Sequence, residues 1–405
     1  MGGRTAPKEA FSVSSFPTGS PQESVRRQNL GALLRYIHVR GATSRAELTS
    51  SLGLNRSTIG ALTADLATAG LVDEGVPHET GRAGRPSIVV RPRSSRVYGY
   101  ALSLELDRLR AARVGLGGKV LDGRTAQRPP GPDPAPTIAA LAALVADMQQ
   151  TAPPDAVLVG SGLAVSGSVR HHLGWADDTL EPELADALQP RLGPAAGPFL
   201  GGIADLAALA EHTRGAATGA DNVIYLHGDA GISAGIIAGG RRITGFGGHG
   251  GEVGHMVVNP GGRLCGCGSR GCWETEIGER ALLHLAGRTI ATPGAAMTAA
   301  MHAAQDGDQA AREAVLHAAD WLGFGVANLV NIFNPTVVVF GGTLRELFLT
   351  GADQVRHRLY TMALPACREH VALHTPQLGD DAPLVGAAEL AFESLLSDPL
   401  YAAKP

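Results

Sequence analysis

Cysteine and long apolar runs are both scarce in this sequence. Its 405 residues include four cysteines, and no apolar stretch approaches the roughly 20 residues that a transmembrane helix needs. The first 23 residues are rich in glycine, serine, proline and threonine and lack the apolar core of a secretory signal peptide. These absences argue against a disulfide-rich secreted protein and against a membrane protein. We expect a cytoplasmic chain with a disordered tail over residues 1–23.

Lysine is absent between Ser24 and Val97, where arginine is abundant. That segment holds 11 arginines and 5 acidic residues, a net charge of +6, so the remaining residues carry −10 and the whole chain −4. A basic segment joined to a larger acidic body predicts nucleic acid as the partner of the basic part. A solvated charged face is the alternative, and charge alone does not exclude it.

Three of the four cysteines lie within eight positions of one another, shortly after a histidine in the run Gly-Glu-Val-Gly-His-Met. One imidazole and three thiolates form a closed tetrahedral ligand set, which is typical of structural zinc, and the intervening glycines let the backbone fold tightly. The alternative is a group of buried or disulfide-linked cysteines, but Cys-Gly-Cys is poorly shaped for an internal disulfide. The predicted Zn²⁺ ligands are His255, Cys265, Cys267 and Cys272. The fourth cysteine, Cys367, is predicted to be a small buried hydrophobe.

The basic segment has the pattern of three helices followed by two short strands. Apolar residues recur at helical spacing at Leu30, Leu33, Leu34 and Ile37. A Ser-x-x-Glu capping box at Ser44 and Glu47 predicts the start of a short second helix. A third helix is expected from about Arg56 to Gly70, and strands are expected at 71–72 and 87–90.

This order is typical of a winged helix-turn-helix, whose third helix lies in the major groove of DNA. The loop Gly-Arg-Ala-Gly-Arg-Pro at 81–86 is slim enough to carry its arginines into a narrow minor groove. The alternative is a three-helix protein-interaction module with a basic loop. We predict DNA contacts at Arg45, Asn55, Arg56, Ser57, Thr58, Arg82 and Arg85.

After Val97, β-rich runs alternate with alanine-rich helices. Strands are expected at 97–104, 109–115, 156–163, 222–226, 232–237 and 336–340, and helices at 136–151, 279–288, 293–306 and 308–333. Glycines follow several of the strands, where α/β folds place their ligands. The pattern predicts an α/β body.

Several runs of this chain resemble the repressor–open reading frame–kinase (ROK) family. They are the Gly-Arg-x-Gly-Arg-Pro wing, the Gly-Glu-x-Gly-His run, the Cys-x-Cys-Gly-x-x-Gly-Cys-x-Glu cluster, Asn334-Pro335 before a buried strand, and Val385-Gly-Ala-Ala388. The resemblance implies a two-lobed, actin-like (ribonuclease H-like, sugar kinase) body. The domains that follow are a winged helix over 24–96, a first lobe over 97–213 joined by a C-terminal helix at 384–400, and a second lobe over 214–383 with the zinc site and a dimer interface.

Kinases of this family need two glycine-rich phosphate loops and an Asn-Asp pair whose aspartate takes a proton from the sugar. Here Asp107 stands in the first loop, where glycine is needed, and Asp229 stands in the second. Gly202-Ile203 replaces the Asn-Asp pair, and Asp205 is the nearest carboxylate. A carboxylate repels the phosphates that such a loop binds, and isoleucine is no base. We predict that the body has no catalytic residues and is not an enzyme.

The resemblance also implies a sugar site between the lobes. Its matching residues are Gly167, Glu252, His255 and Glu274. A histidine that binds zinc through one nitrogen donates a hydrogen bond through the other. The alternative for Glu252 and Glu274 is support of the zinc ligands or plain surface exposure.

These features together predict a DNA-binding transcriptional repressor with an inactive kinase-like body that senses a sugar or sugar derivative. An operator with two-fold symmetry requires paired recognition helices, so we expect a homodimer or homotetramer. Two alternatives stay open, an ATP-dependent sugar kinase and a redox sensor based on the zinc thiolates.

Overall fold

The computed structural model describes residues 21–76, 87–167, 169, 175, 177–192, 197–287 and 295–402. The first helix, α1, spans Pro21–Arg40, so the last three residues assigned to a disordered tail are helical. A proline at the start and Glu23 in the first turn both favour a helix N-terminus, which explains this correction. No helix in the described ranges has the length and apolar character that a bilayer crossing requires.

The N-terminal segment folds as three helices and a small antiparallel sheet. After α1 come β1 (Thr43–Ser44), α2 (Arg45–Leu52), α3 (Arg56–Thr68), β2 (Val72–Gly75) and β3 (Val89–Pro92). Ser44 caps α2 by accepting a hydrogen bond from the Glu47 amide, so the predicted capping box begins the helix at Arg45. Gly53 ends α2 in the left-handed region at φ 65°. The sheet order is β1-β3-β2, and β1 is a strand that the sequence pattern did not indicate.

The winged segment packs directly on the body. The four leucine and isoleucine positions of α1 are buried in one apolar cluster together with Phe392, Leu395 and Leu396 of the C-terminal helix. A Cβ atom at Gly31 would lie 2.7 Å from the carbonyl oxygen of Leu396, so the two helices are in backbone contact there. The first helix is therefore part of the core of the first lobe as well as of the winged segment.

The first lobe is built on a five-stranded sheet of order β6-β5-β4-β7-β8. Its strands are β4 (Val97–Leu104), β5 (Arg108–Gly115), β6 (Lys119–Gln127), β7 (Val157–Val165) and β8 (Phe199–Gly202). β4 pairs antiparallel with β5 and parallel with β7. The helices that accompany it are α4 (Ala135–Gln150), α5 (Asp177–Leu192) and α6 (Ile203–Arg214). The prediction missed β6, whose alternation of exposed and half-buried residues is interrupted by a bulge near Val114.

The second lobe repeats the arrangement with a sheet of order β11-β10-β9-β12-β13. The strands are β9 (Val223–Gly228), β10 (Ile232–Ala238), β11 (Arg241–Arg242), β12 (Val337–Gly342) and β13 (Ala372–His374). Its helices are α7 (Glu274–Ile277), α8 (Glu279–Leu285), α9 (Ala295–Gln305), α10 (Gln309–Phe333), α11 (Thr343–Thr350), α12 (Ala352–Met362) and α13 (Pro365–Arg368). The α/β fold class is confirmed.

The chain returns to the first lobe at its end through α14 (Ala382–Ser397), followed by α15 (Pro399–Ala402). A Cβ at Gly162 of β7 would lie 2.1 Å from the Ala387 carbonyl oxygen, so α14 lies directly on that strand. A Cβ at Gly386 would lie 1.9 Å from the Leu206 carbonyl oxygen, so α14 also lies directly on α6. Glycine at these two positions lets the backbone of α14 lie in close contact with both β7 and α6.

Candidate functional site

The four predicted metal ligands converge in the second lobe. His255 lies at the end of a short 3₁₀ turn, and the cysteines lie on the tight loop that precedes α7. One ligand atom from each residue lies within 4.8 Å of all the others. The sulfurs of Cys267 and Cys272 are 3.6 Å apart, and the Cys265 sulfur is 3.7 Å from His255 Nδ1. A tetrahedral ion with Zn–S bonds of about 2.3 Å separates its ligand atoms by about 3.8 Å, so this arrangement fits a metal ion.

A metal ion binds cysteine as the thiolate, and the surroundings shift the pKa of each thiol in the cluster. Burial, with a further contribution from the Glu274 carboxylate, raises the pKa of Cys265. Burial and the neighbouring Cys267 sulfur raise the pKa of Cys272, whereas the Ser269 amide lowers the pKa of Cys267. All four cysteines are free thiols, so the disulfide alternative is wrong, and Cys367 lies half-buried against the core of the second lobe.

A cavity of about 600 Å³ lies beside the cysteine loop, and all four predicted ligand-binding residues line it. Gly167 lines it from the end of β7, and Glu252, His255 and Glu274 line it from the second lobe. The sequence analysis did not name four further lining residues with charged or titratable side chains, which are Arg263, Glu279, Arg280 and His284. No motif marks these four residues, because they reach the cavity through the folding of the loop and α8.

Glu274 belongs to the cavity and to the cysteine cluster at once. The Cys265 thiol donates a hydrogen bond to its Oε1 at 2.9 Å, and the same oxygen lies 3.8 Å from His255 Nδ1. His255 thus turns Nδ1 toward the sulfurs. Both interpretations of Glu274, sugar contact and support of the metal ligands, are compatible with this position.

The residues that the sequence analysis matched to the Asn-Asp pair of the kinases make contacts within the protein. Ile203 is buried in the core of the first lobe at 3% exposure. Asp205, in the first turn of α6, accepts a hydrogen bond from Arg242 of β11 at 2.6 Å. Burial raises the pKa of Asp205, and Arg242 opposes part of that rise. Neither residue lines the cavity.

The two turns that the sequence analysis compared with the phosphate loops of the kinases both contain carboxylates. In the turn between β4 and β5, Glu105 pairs with Arg108 at 2.5 Å, and Asp107 follows it in the turn. In the turn between β9 and β10, the Gly231 amide donates to the Asp229 carboxylate at 2.9 Å, and Ser166 of the first lobe donates to its other oxygen. Asp229 therefore contacts both lobes at the edge of the cavity.

The N-terminal turn of α3 presents the predicted recognition residues. Arg56 and Ser57 are exposed, and Thr58 is half-buried. The side chain of Asn55 is the helix cap, since its Oδ1 accepts hydrogen bonds from Ser57 Oγ at 2.7 Å and from the Thr58 amide at 2.8 Å. Arg82 and Arg85 lie outside the described residues.

Arg45 is held by a residue that the sequence analysis did not consider. Its guanidinium donates to the carboxylate of Glu74 on β2, with the closest contact at 2.6 Å. Position along the chain gives no signal of this pair, because α3 separates β2 from Arg45 in the sequence.

Comparison with known proteins agrees with this architecture. The ROK family model matches residues 106–394. A xylose repressor from Caldicellulosiruptor bescii is 28% identical over 389 residues, which cover 89% of this chain and 94% of that protein. A glucokinase from Streptomyces coelicolor is 36% identical over 207 residues, which cover 47% of this chain and 65% of the glucokinase.

A crystal structure of a ROK family transcriptional regulator, described as a homologue of the E. coli Mlc protein, has a similar fold. It superposes with a TM-score of 0.75 at 23% identity, over 94% of this chain and 99% of that one. The family match extends from the turn after β4 into α14, and so includes the second sheet, the first sheet except β4, and the cysteine cluster. The chain therefore belongs to the ROK family, as its motifs predict.

Proposed function

We propose that this protein is a DNA-binding transcriptional repressor whose kinase-like body binds a sugar or sugar derivative without phosphorylating it. The observation that carries the proposal is a complete helix-turn-helix, with Arg56 and Ser57 exposed at the start of α3, packed on a ROK body. Similarity to a xylose repressor over 89% of this chain supports it, because that match includes the N-terminal segment. The protein acts in the cytoplasm, where operator DNA lies.

Phosphoryl transfer requires a base near the sugar and loops that stabilise the phosphates. Ile203 stands where the family has its aspartate, and the nearest carboxylate, Asp205, is bonded to Arg242 and lies outside the cavity. Asp229 places negative charge at the second phosphate loop. These three features support a body that retains a ligand cavity and lacks catalysis.

A polyhydroxylated ligand suits the cavity. Carboxylates accept hydrogen bonds from adjacent hydroxyl groups, and Glu252 and Glu274 both line it. Its volume of about 600 Å³ is in the range that small-molecule sites occupy. A ligand regulates DNA binding only if it prefers one arrangement of the lobes, and the contacts of Asp229 with both lobes are the kind that such a preference would change.

The metal at the cysteine cluster is Zn²⁺ with a structural role. Three sulfurs and one imidazole nitrogen are the donor set that zinc prefers, and all four positions are occupied by protein. When bound, zinc supplies a fixed cross-link between the 3₁₀ turn of His255 and the loop before α7. That cross-link would fix the orientation of His255 beside the cavity, so the metal site would support the ligand site.

The second lobe carries an exposed apolar face that suits a second copy of the chain. Its members are Ile332, Phe333, Tyr360, Met362 and Leu364. They adjoin one another because Asn331 donates to the Met362 carbonyl and accepts from the Leu364 amide. A homodimer through this face would provide the paired recognition helices that a two-fold operator requires.

Substitution of Arg56 by alanine is expected to weaken binding to a selected operator fragment by about tenfold or more, because each good base or phosphate contact by arginine is worth about 1–3 kcal/mol. The fragment is obtained by incubating the purified protein with genomic DNA and recovering what it retains. Affinity is measured by fluorescence anisotropy at several salt concentrations.

The matched control is Arg345→Ala, which removes the same charge from an exposed arginine of the second lobe. It should leave operator affinity unchanged. Equal affinities of the Arg56→Ala variant and the native protein would contradict the placement of α3 in the groove. Failure of the protein to retain any genomic fragment selectively would refute the repressor function itself.

Glu252→Gln is expected to weaken sugar binding about tenfold, since a hydrogen bond to a charged group is worth about 1.5–3 kcal/mol. Isothermal titration with D-xylose, D-glucose and related pentoses and hexoses identifies the ligand, and Glu313→Gln on the exposed face of α10 is the control.

With MgATP and the same sugars, no ADP should form in a coupled assay. Sugar-dependent turnover that is lost in Asp205→Asn would establish a kinase instead.

A further inference from the structure

Glu74 and Arg45 form a fixed pair at the edge of the proposed DNA-binding face. Nε of Arg45 donates to Glu74 Oε1 at 3.2 Å, and Nη2 donates to Oε1 at 2.6 Å and to Oε2 at 2.7 Å. The backbone is fixed as well, because the Arg45 amide donates to the Ile88 carbonyl at 2.9 Å. Such bidentate geometry holds a guanidinium in one orientation, whereas a free arginine samples many rotamers.

This pairing leaves the Nη1 end of the guanidinium available. Among the described residues, Nη1 makes no hydrogen bond, and the side chain of Arg45 keeps 26% of its surface exposed. Nη1 lies over Gly60 of α3, 3.7 Å from the position that a Cβ atom would take there. The free donor thus faces the helix that carries Arg56 and Ser57, one turn after them.

No contact with the described part of the chain requires a glycine at position 60. It lies in the interior of α3 with ordinary helical geometry. Apart from the backbone of α3 itself, the sole heavy atom of the described residues within 4 Å of a Cβ built there is Arg45 Nη1, at a normal contact distance. Glycine in a helix interior lowers helix stability relative to alanine. The missing side chain leaves an open notch between Gly60 and Arg45.

We propose that Glu74 is a positioning residue that aims Nη1 of Arg45 at one DNA backbone phosphate, seated in the notch that Gly60 keeps open. The inference rests on the proposed DNA binding and adds one contact and two residues, Glu74 and Gly60, to it. A phosphate oxygen is the ligand that fits, because Nη1 is a charged donor beside helix backbone and no acceptor of the residues that the structure describes is bonded to it. The contact fixes the register of α3 on the duplex.

The sign of the effect of Glu74→Gln separates this role from simple charge repulsion. Removal of an acidic group near DNA tightens binding if the group only repels phosphates. If Glu74 positions Arg45, the operator fragment should instead bind about tenfold more weakly, and the slope of log K against log salt should fall by about 0.9, the value for one phosphate contact. The probes are a fragment recovered from genomic DNA and a scrambled duplex of equal length.

Arg45→Gln and the double variant complete the experiment. Arg45→Gln should weaken binding at least as much as Glu74→Gln, and the double variant should be no weaker than Arg45→Gln, because Glu74 acts through Arg45. Unchanged or tighter operator binding by Glu74→Gln, or additive losses in the double variant, would overturn the proposal. Native protein that selects no fragment would instead refute DNA binding as a whole.

Gly60→Ala tests the notch without disturbing the ion pair, and serves if Glu74→Gln folds poorly. The melting temperature should rise, because alanine favours the helix, while operator affinity should fall about tenfold as the methyl group fills the phosphate position. Thr68→Ala, at the exposed end of the same helix, is the control and should leave operator affinity unchanged. A Gly60→Ala variant with native operator affinity would show that no phosphate enters the notch.

Discussion

Replacement of Glu389 by alanine is expected to lower the free energy of unfolding by about 3–5 kcal/mol, the range for removal of one partner from a buried ion pair. Glu389, on α14, is 7% exposed and contacts both His38 Nε2 at 3.0 Å and Arg214 Nε at 2.7 Å. The Gly117 amide donates to His38 Nδ1 at 2.9 Å, so Nε2 carries the proton that Glu389 accepts. Chemical denaturation at neutral pH measures the loss.

The network matters because it joins parts of the chain that are far apart in sequence. His38 lies in the last turn of α1 of the winged segment, Arg214 ends α6, and Gly117 lies in the turn between β5 and β6. Arg214 also donates to the carbonyl oxygens of His38 at 2.9 Å and Gly117 at 3.1 Å. Without the Glu389 carboxylate, the guanidinium of Arg214 stays buried and uncompensated, and α1 loses its polar attachment to the first lobe.

A matched control lies one turn further along α14. Glu393 pairs with Arg35 of α1 at 2.9 Å, but both side chains are about half exposed or more. Solvent-exposed pairs contribute about 0–1 kcal/mol, so Glu393→Ala should change stability little. Similar losses from the two variants would show that the buried network has no special role at this junction.

The same network predicts a dependence of stability on pH. Burial alone would raise the pKa of Glu389, but the effects of His38 and Arg214 exceed it and lower the pKa from 4.5 to about 2. A carboxyl group with a lowered folded-state pKa stabilises the fold above its unfolded pKa and loses that contribution as pH falls through the folded value. Between pH 4.5 and 2 the free energy of unfolding of the native protein should therefore fall by roughly 3 kcal/mol because of this group. The Glu389→Gln variant has no carboxyl group at this position and should not show this part of the decrease.

Substitution of Cys272 by serine is expected to abolish stoichiometric zinc binding and to lower the free energy of unfolding by several kcal/mol. Structural zinc binding is worth about 10–16 kcal/mol in isolated zinc-finger peptides. Here the loop belongs to a lobe that has a large apolar core besides the cluster, so we expect a smaller effect. Cys272 is fully buried and adjoins Trp273, whose indole donates to the Trp321 carbonyl at 2.8 Å. Metal analysis by mass spectrometry and thermal unfolding measure the two effects.

The fourth cysteine provides the control for this substitution. Cys367 is half-buried, lies outside the metal cluster and packs against the same second-lobe core. Cys367→Ser should keep about one zinc ion per chain and should not alter sugar binding. Native zinc content in Cys272→Ser, or full stability of the native protein after removal of zinc by a chelator, would contradict a structural zinc site.

Local signals predicted a large part of the fold. Ser44 and Asn55 begin α2 and α3 as caps, because their side-chain oxygens bond to amides three residues later. β4 spans Val97–Leu104, as its pattern predicts. β1 and β13 are too short to carry a period of their own, and they form because neighbouring strands supply partners.

The residues of the candidate site also fall into two groups, those that the sequence predicted and those that it did not. The four residues of the histidine–cysteine cluster lie within 18 positions, and the sequence predicted that they would converge, because tight glycine turns leave few ways to arrange them. The cavity residues Arg263 and Arg280 were not identifiable, since their approach depends on the path of the loop and on the direction of α8. The contacts of Asp205 with Arg242 and of Ser166 with Asp229 required both lobes to be in place.

By itself, the sequence determined the family, the α/β class, the helix-turn-helix and the composition of the metal cluster, because caps, periodicity and ligand spacing act over a few residues. The tertiary structure alone decided which charged groups meet. Glu389 finds His38 across 351 positions, and Glu74 finds Arg45 across 29. Those pairs depend on the closure of sheets and the docking of helices, which bury groups whose distance in the chain carries no information about their distance in space.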